Sequence, residues 1–143
     1  MATRAITFTL FNGFTNDLIT ELHNLSSDTL QIRLVTDVAA ATDATNTAFT
    51  EVTGANYSAG GIACSQTVNV AGAVNTIQSA VDFLWSENAS GFTNANSAII
   101  YNSTSSRAIA FADIRDGVTA VGSTNQDVDI NLENGTDLFS LGA

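Results

Sequence analysis

Ile6, Phe8 and Leu10 alternate with Thr7 and Thr9, which predicts a strand over residues 5–10. The next stretch, FNGFTNDLITELHNL, changes period: Phe14, Leu18, Leu22 and Leu25 recur at helical spacing. Thr15 stands where an N-cap belongs, Asp17 falls in the first turn, and Phe14 and Ile19 are placed for a hydrophobic staple. A helix of about ten residues is expected here. Ser26, Ser27 and Asp28 form a turn, after which Leu30, Ile32 and Leu34 alternate with Gln31 and Arg33 in a second strand.

From Gly61 onward the period is that of strands. Ile62, Cys64, Val68 and Val70 are expected to point one way, and Ile77, Val81, Phe83 and Trp85 to share a face opposite Gln78 and Asp82. A short apolar strand is predicted over residues 98–101. In residues 107–114, Ile109 and Phe111 oppose small alanines. Val128, Ile130 and Leu132 alternate with Asp127, Asp129 and Asn131, Asn134-Gly135 is a turn pair, and Leu138, Phe139 and Leu141 follow. About seven to eight short strands with one short N-terminal helix predict a mainly β fold, a β-sandwich or squashed barrel. No repeat or linker divides residues 1–143, so a single domain is expected.

One segment breaks the pattern. Residues 37–61 contain a run of Ala, Thr, Asn and Asp followed by EVTGANYSAGG. Such small side chains cannot anchor a core, and the threonines and aspartates weaken any helix. The segment reads as an extended loop or arm, with Phe49, Val52 and Tyr57 as its anchors on a neighbouring subunit. A surface loop is the alternative.

Composition narrows the function. Of 143 residues, 45% are hydrophobic and 13% charged, so a core is expected while long charged side chains are scarce. Fourteen acids face four bases, all arginine (Arg4, Arg33, Arg107 and Arg115), for a net charge of −10. That balance argues against a nucleic-acid partner and against an anionic membrane surface. No segment reads as a signal peptide or membrane span, and Cys64 has no partner for a disulfide, so synthesis in a reducing cytoplasm is expected. N-x-[ST] matches at Asn24, Asn56, Asn88, Asn102 and Asn134 read as chance in so Asn-, Ser- and Thr-rich a chain.

Candidate chemistry is sparse. His23 is placed near the helix C-terminus, where it complements the helix dipole. Cys64 alternates with Ile62 and reads as a buried thiol. Asp127, Asp129 and Asn131 resemble the first half of a calcium loop, but Leu132 stands where its glycine belongs. Asp113 and Asp116 flank Arg115 in what reads as a turn. Tyr57, Tyr101 and Trp85 could form a sugar platform, although core packing is favoured. Gly60-Gly61 has no following lysine to hold a phosphate. No catalytic residue, metal ligand or cofactor site is therefore assigned, and no enzyme activity is expected.

TEVTGANYSAGGIACS (residues 50–65) resembles the T-E-V-x-G-x-x-Y-x-R segment of a family of small virion structural proteins of tailed bacteriophages. The order of LITELHNL, LQIRLVTD, VDFLWSENASGFTNANSAIIYNS and RAIAFADI, ending in VGSTNQDVDINLENG, is similar to that family over nearly the whole chain. The family arginine after the tyrosine is absent, since Ser58 and Ala59 follow Tyr57, and Trp85 sits earlier than in the family. The resemblance implies a virion protein made in a bacterial host. The leading expectation is a capsid cement (decoration) protein that binds the major capsid protein between capsomers, as a homotrimer. A tail component (fibre, baseplate or adaptor subunit) is the alternative, and a carbohydrate-binding β-sandwich module the third reading. A neutral exterior of short side chains agrees with close side-by-side packing, because few long charged chains need be desolvated on contact. Residues 5–10 are expected to be an ordinary first strand, with donation to a neighbouring subunit as the alternative.

Overall fold

A computed structural model describes residues 2–132 and 135–142. The chain is mainly β, with eleven strands and one short helix among the described residues. The strands are β1 (Ala2–Ile6), β2 (Thr9–Leu10), β3 (Leu30–Val35), β4 (Ile62–Ala63), β5 (Thr67–Ala71), β6 (Val74–Gln78), β7 (Phe83–Trp85), β8 (Ser97–Asn102), β9 (Arg107–Asp113), β10 (Val128–Leu132) and β11 (Asp137–Gly142), and the helix is α1 (Phe14–Ile19). They form a five-stranded sheet in the order β2-β9-β8-β3-β4 and two three-stranded sheets, β1-β10-β7 and β11-β6-β5. Among the described residues every pairing is antiparallel except β1 with β10, which runs parallel from Ala2↔Val128 to Ile6↔Leu132.

Period-2 patterning sets which faces meet. Leu30, Ile32 and Leu34 are fully buried on the inner face of β3, while Gln31 and Arg33 face out. They join Ile100, Ile77, Phe83, Val128, Ile130 and Leu138 in one core drawn from all three sheets, a β-sandwich-like arrangement. A bulge where Ile100↔Ala110 shifts to Tyr101↔Ala108 inserts Ile109 into β9. Ile109 and Ala110 therefore both enter the main core, and Phe111 turns to the opposite face. There Phe11, Val35, Ile99 and Ala108 make a second, smaller cluster on the outer side of the five-stranded sheet.

Several expectations change. The helix is six residues long, has Gly13 as its N-cap with no side-chain cap bond, and leaves Ile19 75% exposed, so Thr15 is not its cap and no Phe14–Ile19 staple forms. It stops because Glu21 takes φ 63, and the N–H groups of Glu21 and Leu22 return to the Leu18 and Asp17 carbonyls. That is a Schellman ending built on Glu instead of the usual glycine. Phe14, packed edge-on against Phe139 at 5.7 Å, holds the helix to β11. Ile62 and Cys64 do not share a face with Val68 and Val70, which lie exposed in another sheet. Val81 is likewise exposed, between β6 and β7. Asn134 of the expected turn lies outside the described residues.

Candidate functional surface

Residues 37–61 lie on their own chain. Asp37 Oδ2 accepts the Thr50 N–H at 2.6 Å, the Thr36 N–H reaches the Thr50 carbonyl at 2.8 Å, and the Val52 N–H reaches Leu34 O at 3.0 Å. Residues 50–52 thereby run beside the end of β3, with Val35 bridged to Glu51. Upstream, the Asn12 N–H donates to Ala41 O at 2.9 Å, and the Ala108 N–H to Thr45 O at 2.7 Å. The Ala39 N–H donates to Ser97 Oγ at 3.0 Å. Residues 39–49 therefore cover the small outer cluster, where Phe49 meets Phe11 at 5.7 Å.

Small side chains permit this close backbone approach. A Cβ on Gly54 would overlap the backbone of Gly91 and Phe92, and one on Gly61 (φ 70) would overlap the Ile32 carbonyl. The TEVTGANY segment is thus an intramolecular clamp. Glu51 Oε1 accepts from the Tyr57 hydroxyl at 2.7 Å and from the Gly60 N–H at 2.8 Å. The same hydroxyl accepts the Leu34 N–H at 3.2 Å. The Tyr57 ring stacks on Trp85 at 6.1 Å and meets Phe92 edge-on at 6.1 Å. Burial and the Glu51 carboxylate both push the Tyr57 phenol well above its ordinary value.

These contacts show what the expected anchors touch within their own chain. Val52 is 2% exposed within the chain's own core, and Tyr57 is committed to Glu51, Leu34 and Trp85. Val52 is thus closed off by its own chain, while Tyr57 is half-buried and held in place by it. Phe49 borders an outward cleft, of about 220 Å³, with Arg33, Val35, Thr47, Ile99 and Tyr101. In it the Arg33 guanidinium lies 3.7 Å above the Tyr101 ring and bonds Gln31 Oε1 through Nη2 at 3.0 Å.

The other candidates occupy structural positions. Asp113 holds Arg115 through Nε at 3.0 Å and Nη2 at 2.6 Å, which keeps its carboxyl below the usual range. Asp116 pairs separately with Arg4 at 2.7 Å, so each carboxylate has its own arginine. Asp127 caps the Glu87 N–H at 2.7 Å, and no group of three or more His, Cys, Asp or Glu suited to a metal occurs among the described residues. Trp85 is buried, and burial pushes the Cys64 thiol up to about 12, so no reactive thiolate forms near neutrality.

His23 differs most from its expected place. It lies beyond the helix end, its side chain fully buried against Phe14 at 5.3 Å. Asn102 Oδ1 accepts the Thr104 and Ser105 N–H groups, which turns its Nδ2 toward His23 Nδ1 at 2.9 Å and Asp28 Oδ2 at 2.6 Å. His23 Nδ1 is therefore an acceptor and Nε2 carries the proton, 4.0 Å from Asp17 Oδ2. A second proton on Nδ1 would face the Asn102 donor. Burial accordingly lowers the His23 pKa from 6.5, despite the opposing pull of Asp17 and Asp28. Below pH 6.5 the unfolded chain binds a proton that the folded chain refuses, so the stability from this group is full above 6.5 and is lost as pH falls toward the folded value. Thermal unfolding from pH 7.5 down to 5 should show a steeper loss for the wild type than for His23→Gln. Parallel slopes would show that His23 is not the group responsible.

Sequence reasoning missed Glu51 as the hub of the clamp, and the Asn102–His23 link, whose partners are 79 positions apart. No local signal marks either. No family model, curated protein or solved structure matches the chain.

Proposed function

We propose that the chain is a structural protein of a bacteriophage particle. It acts as a cement protein, binding the major capsid protein between capsomers and associating with its own copies. The resemblance carried by TEVTGANY motivates this reading. The observation that carries it furthest is the outer face formed by residues 38–49. It is fixed to the sheet by backbone hydrogen bonds, its only ionisable side chain is Asp43, and it frames the cleft of Phe49, Arg33 and Tyr101. A preformed, nearly neutral face loses little conformational entropy on docking and desolvates few charges. A ligand that binds only the assembled shell stabilises it by mass action, and a repeating lattice multiplies weak contacts.

Quantitative mass spectrometry of purified particles should find the chain at a fixed, high ratio to the major capsid protein. A copy number matching one ring would move it to the tail, and absence from particles would end the reading. Ala48→Glu places a carboxylate on the cleft rim without touching the core. It should lower retention on shells about tenfold or more, because the added carboxylate must lose its water on docking, with the melting temperature unchanged.

A further inference from the structure

We propose that β5 is a self-pairing edge, through which two copies of this chain join into one continuous sheet about a two-fold axis at Asn69. Among the described residues β5 pairs on one side only, with β6, in a register from Ala71↔Val74 to Thr67↔Gln78 that has no bulge. Gly72, at φ 64, makes the two-residue turn between them. In such a hairpin the closing pair exchanges both hydrogen bonds, and the pattern then alternates along the ladder. Thr67, Asn69 and Ala71 therefore face β6 with their backbone groups, while the N–H and C=O of Val68 and Val70 point outward. All of β5 is exposed, Val70 to 68%.

Sheet edges are commonly guarded by charge, proline or a bulge. β5 has none of these. From residue 52 to residue 81 the sequence contains no Asp, Glu, Lys, Arg or His. The other edges differ among the described residues: β1 carries Arg4, β11 carries Asp137, β7 lies between Asp82 and Glu87, and β2 and β4 are two residues each.

The occupant follows from the sequence of the edge itself. TVNVA reads V-N-V in both directions about Asn69. Antiparallel pairing with a second β5 sets Val68 against Val70 of the other copy twice over, on one face, with Asn69 facing Asn69. The four valines then exchange their outward backbone groups in two hydrogen-bonded pairs. Charge permits the match despite −10 per chain. Asp137, the charged strand residue of this sheet, lies two strands in, so the two copies' Asp137 residues sit at least about 24 Å apart, well beyond a Debye length of about 8 Å. An isologous contact closes at two copies, so this edge makes dimers where the resemblance implies a trimer. The pairing needs no shell and stands apart from the cement reading.

Sedimentation equilibrium of the purified chain should give twice the 14.9 kDa chain mass. Val70→Lys, which alters only an exposed position, should weaken association about tenfold or more while keeping the thermal transition. Asn69→Cys should form a disulfide-linked dimer on mild oxidation, because residues facing one another across a non-hydrogen-bonded pair hold their Cβ atoms about 4.5–5.5 Å apart. Val118→Cys, 87% exposed but off the edge, should not, and native Cys64 is buried. A monomer at every concentration overturns the proposal. So does an oligomer that survives Val70→Lys, or an Asn69→Cys chain that cross-links no better than the Val118→Cys control. Loss of particle binding with the dimer intact would count against the cement reading alone.

Discussion

Tyr57→Ala should cost about 3–5 kcal/mol of folding stability, as expected for deleting a packed aromatic ring. For a chain of this size that lowers the melting temperature by roughly 10 °C or more. The ring lies between Trp85 and Phe92, and its hydroxyl joins Glu51 to the Leu34 N–H. Tyr57→Phe keeps the ring and leaves the Leu34 N–H without this partner, at about 1–3 kcal/mol. A double-mutant cycle with Glu51→Gln should return a coupling of about 1 kcal/mol. Denaturant titration followed by Trp85 fluorescence measures all four species. An anchor for a neighbouring subunit would behave otherwise: Tyr57→Ala would leave the monomer's stability unchanged and lose only association.

Gly61→Ala is the second large effect, at about 2–4 kcal/mol. The new methyl meets the Ile32 carbonyl at φ 70, where β3 pairs with β4 through Ile32↔Ile62. Either the chain leaves its left-handed conformation or the two strands part. Gly72→Ala provides the comparison. Its φ of 64 is similar, but nothing lies within 4 Å of the added carbon, so only the conformational cost of about 1 kcal/mol remains. Equal losses at the two positions would show that the Ile32 carbonyl is not what excludes a side chain at 61.

The difference between these glycines shows where the sequence could be read and where it could not. Strands with one buried face, such as β3 and β10, announced themselves: Leu30, Ile32 and Leu34, like Val128 and Ile130, alternate because one side packs and the other does not. The same logic failed for Val68 and Val70, whose alternation is genuine but which stand on an exposed edge strand. The end of the helix was hidden because a glutamate, not a glycine, adopts the left-handed turn. EVTGANY was legible as a motif but not as a device. Whether Val52 and Tyr57 point inward or outward depends on Leu34, Trp85 and Phe92, which are remote in sequence. His23 looked like a helix-end residue because its partner Asn102 belongs to β8.

The parallel union of β1 with β10 also has a bearing on the chain's birth. Residues 2–6 are synthesised well before residues 128–132, the strand they lie beside. Until then they wait unpaired, and closing so wide a gap makes maturation slow, on the scale of milliseconds to seconds that non-local pairings impose.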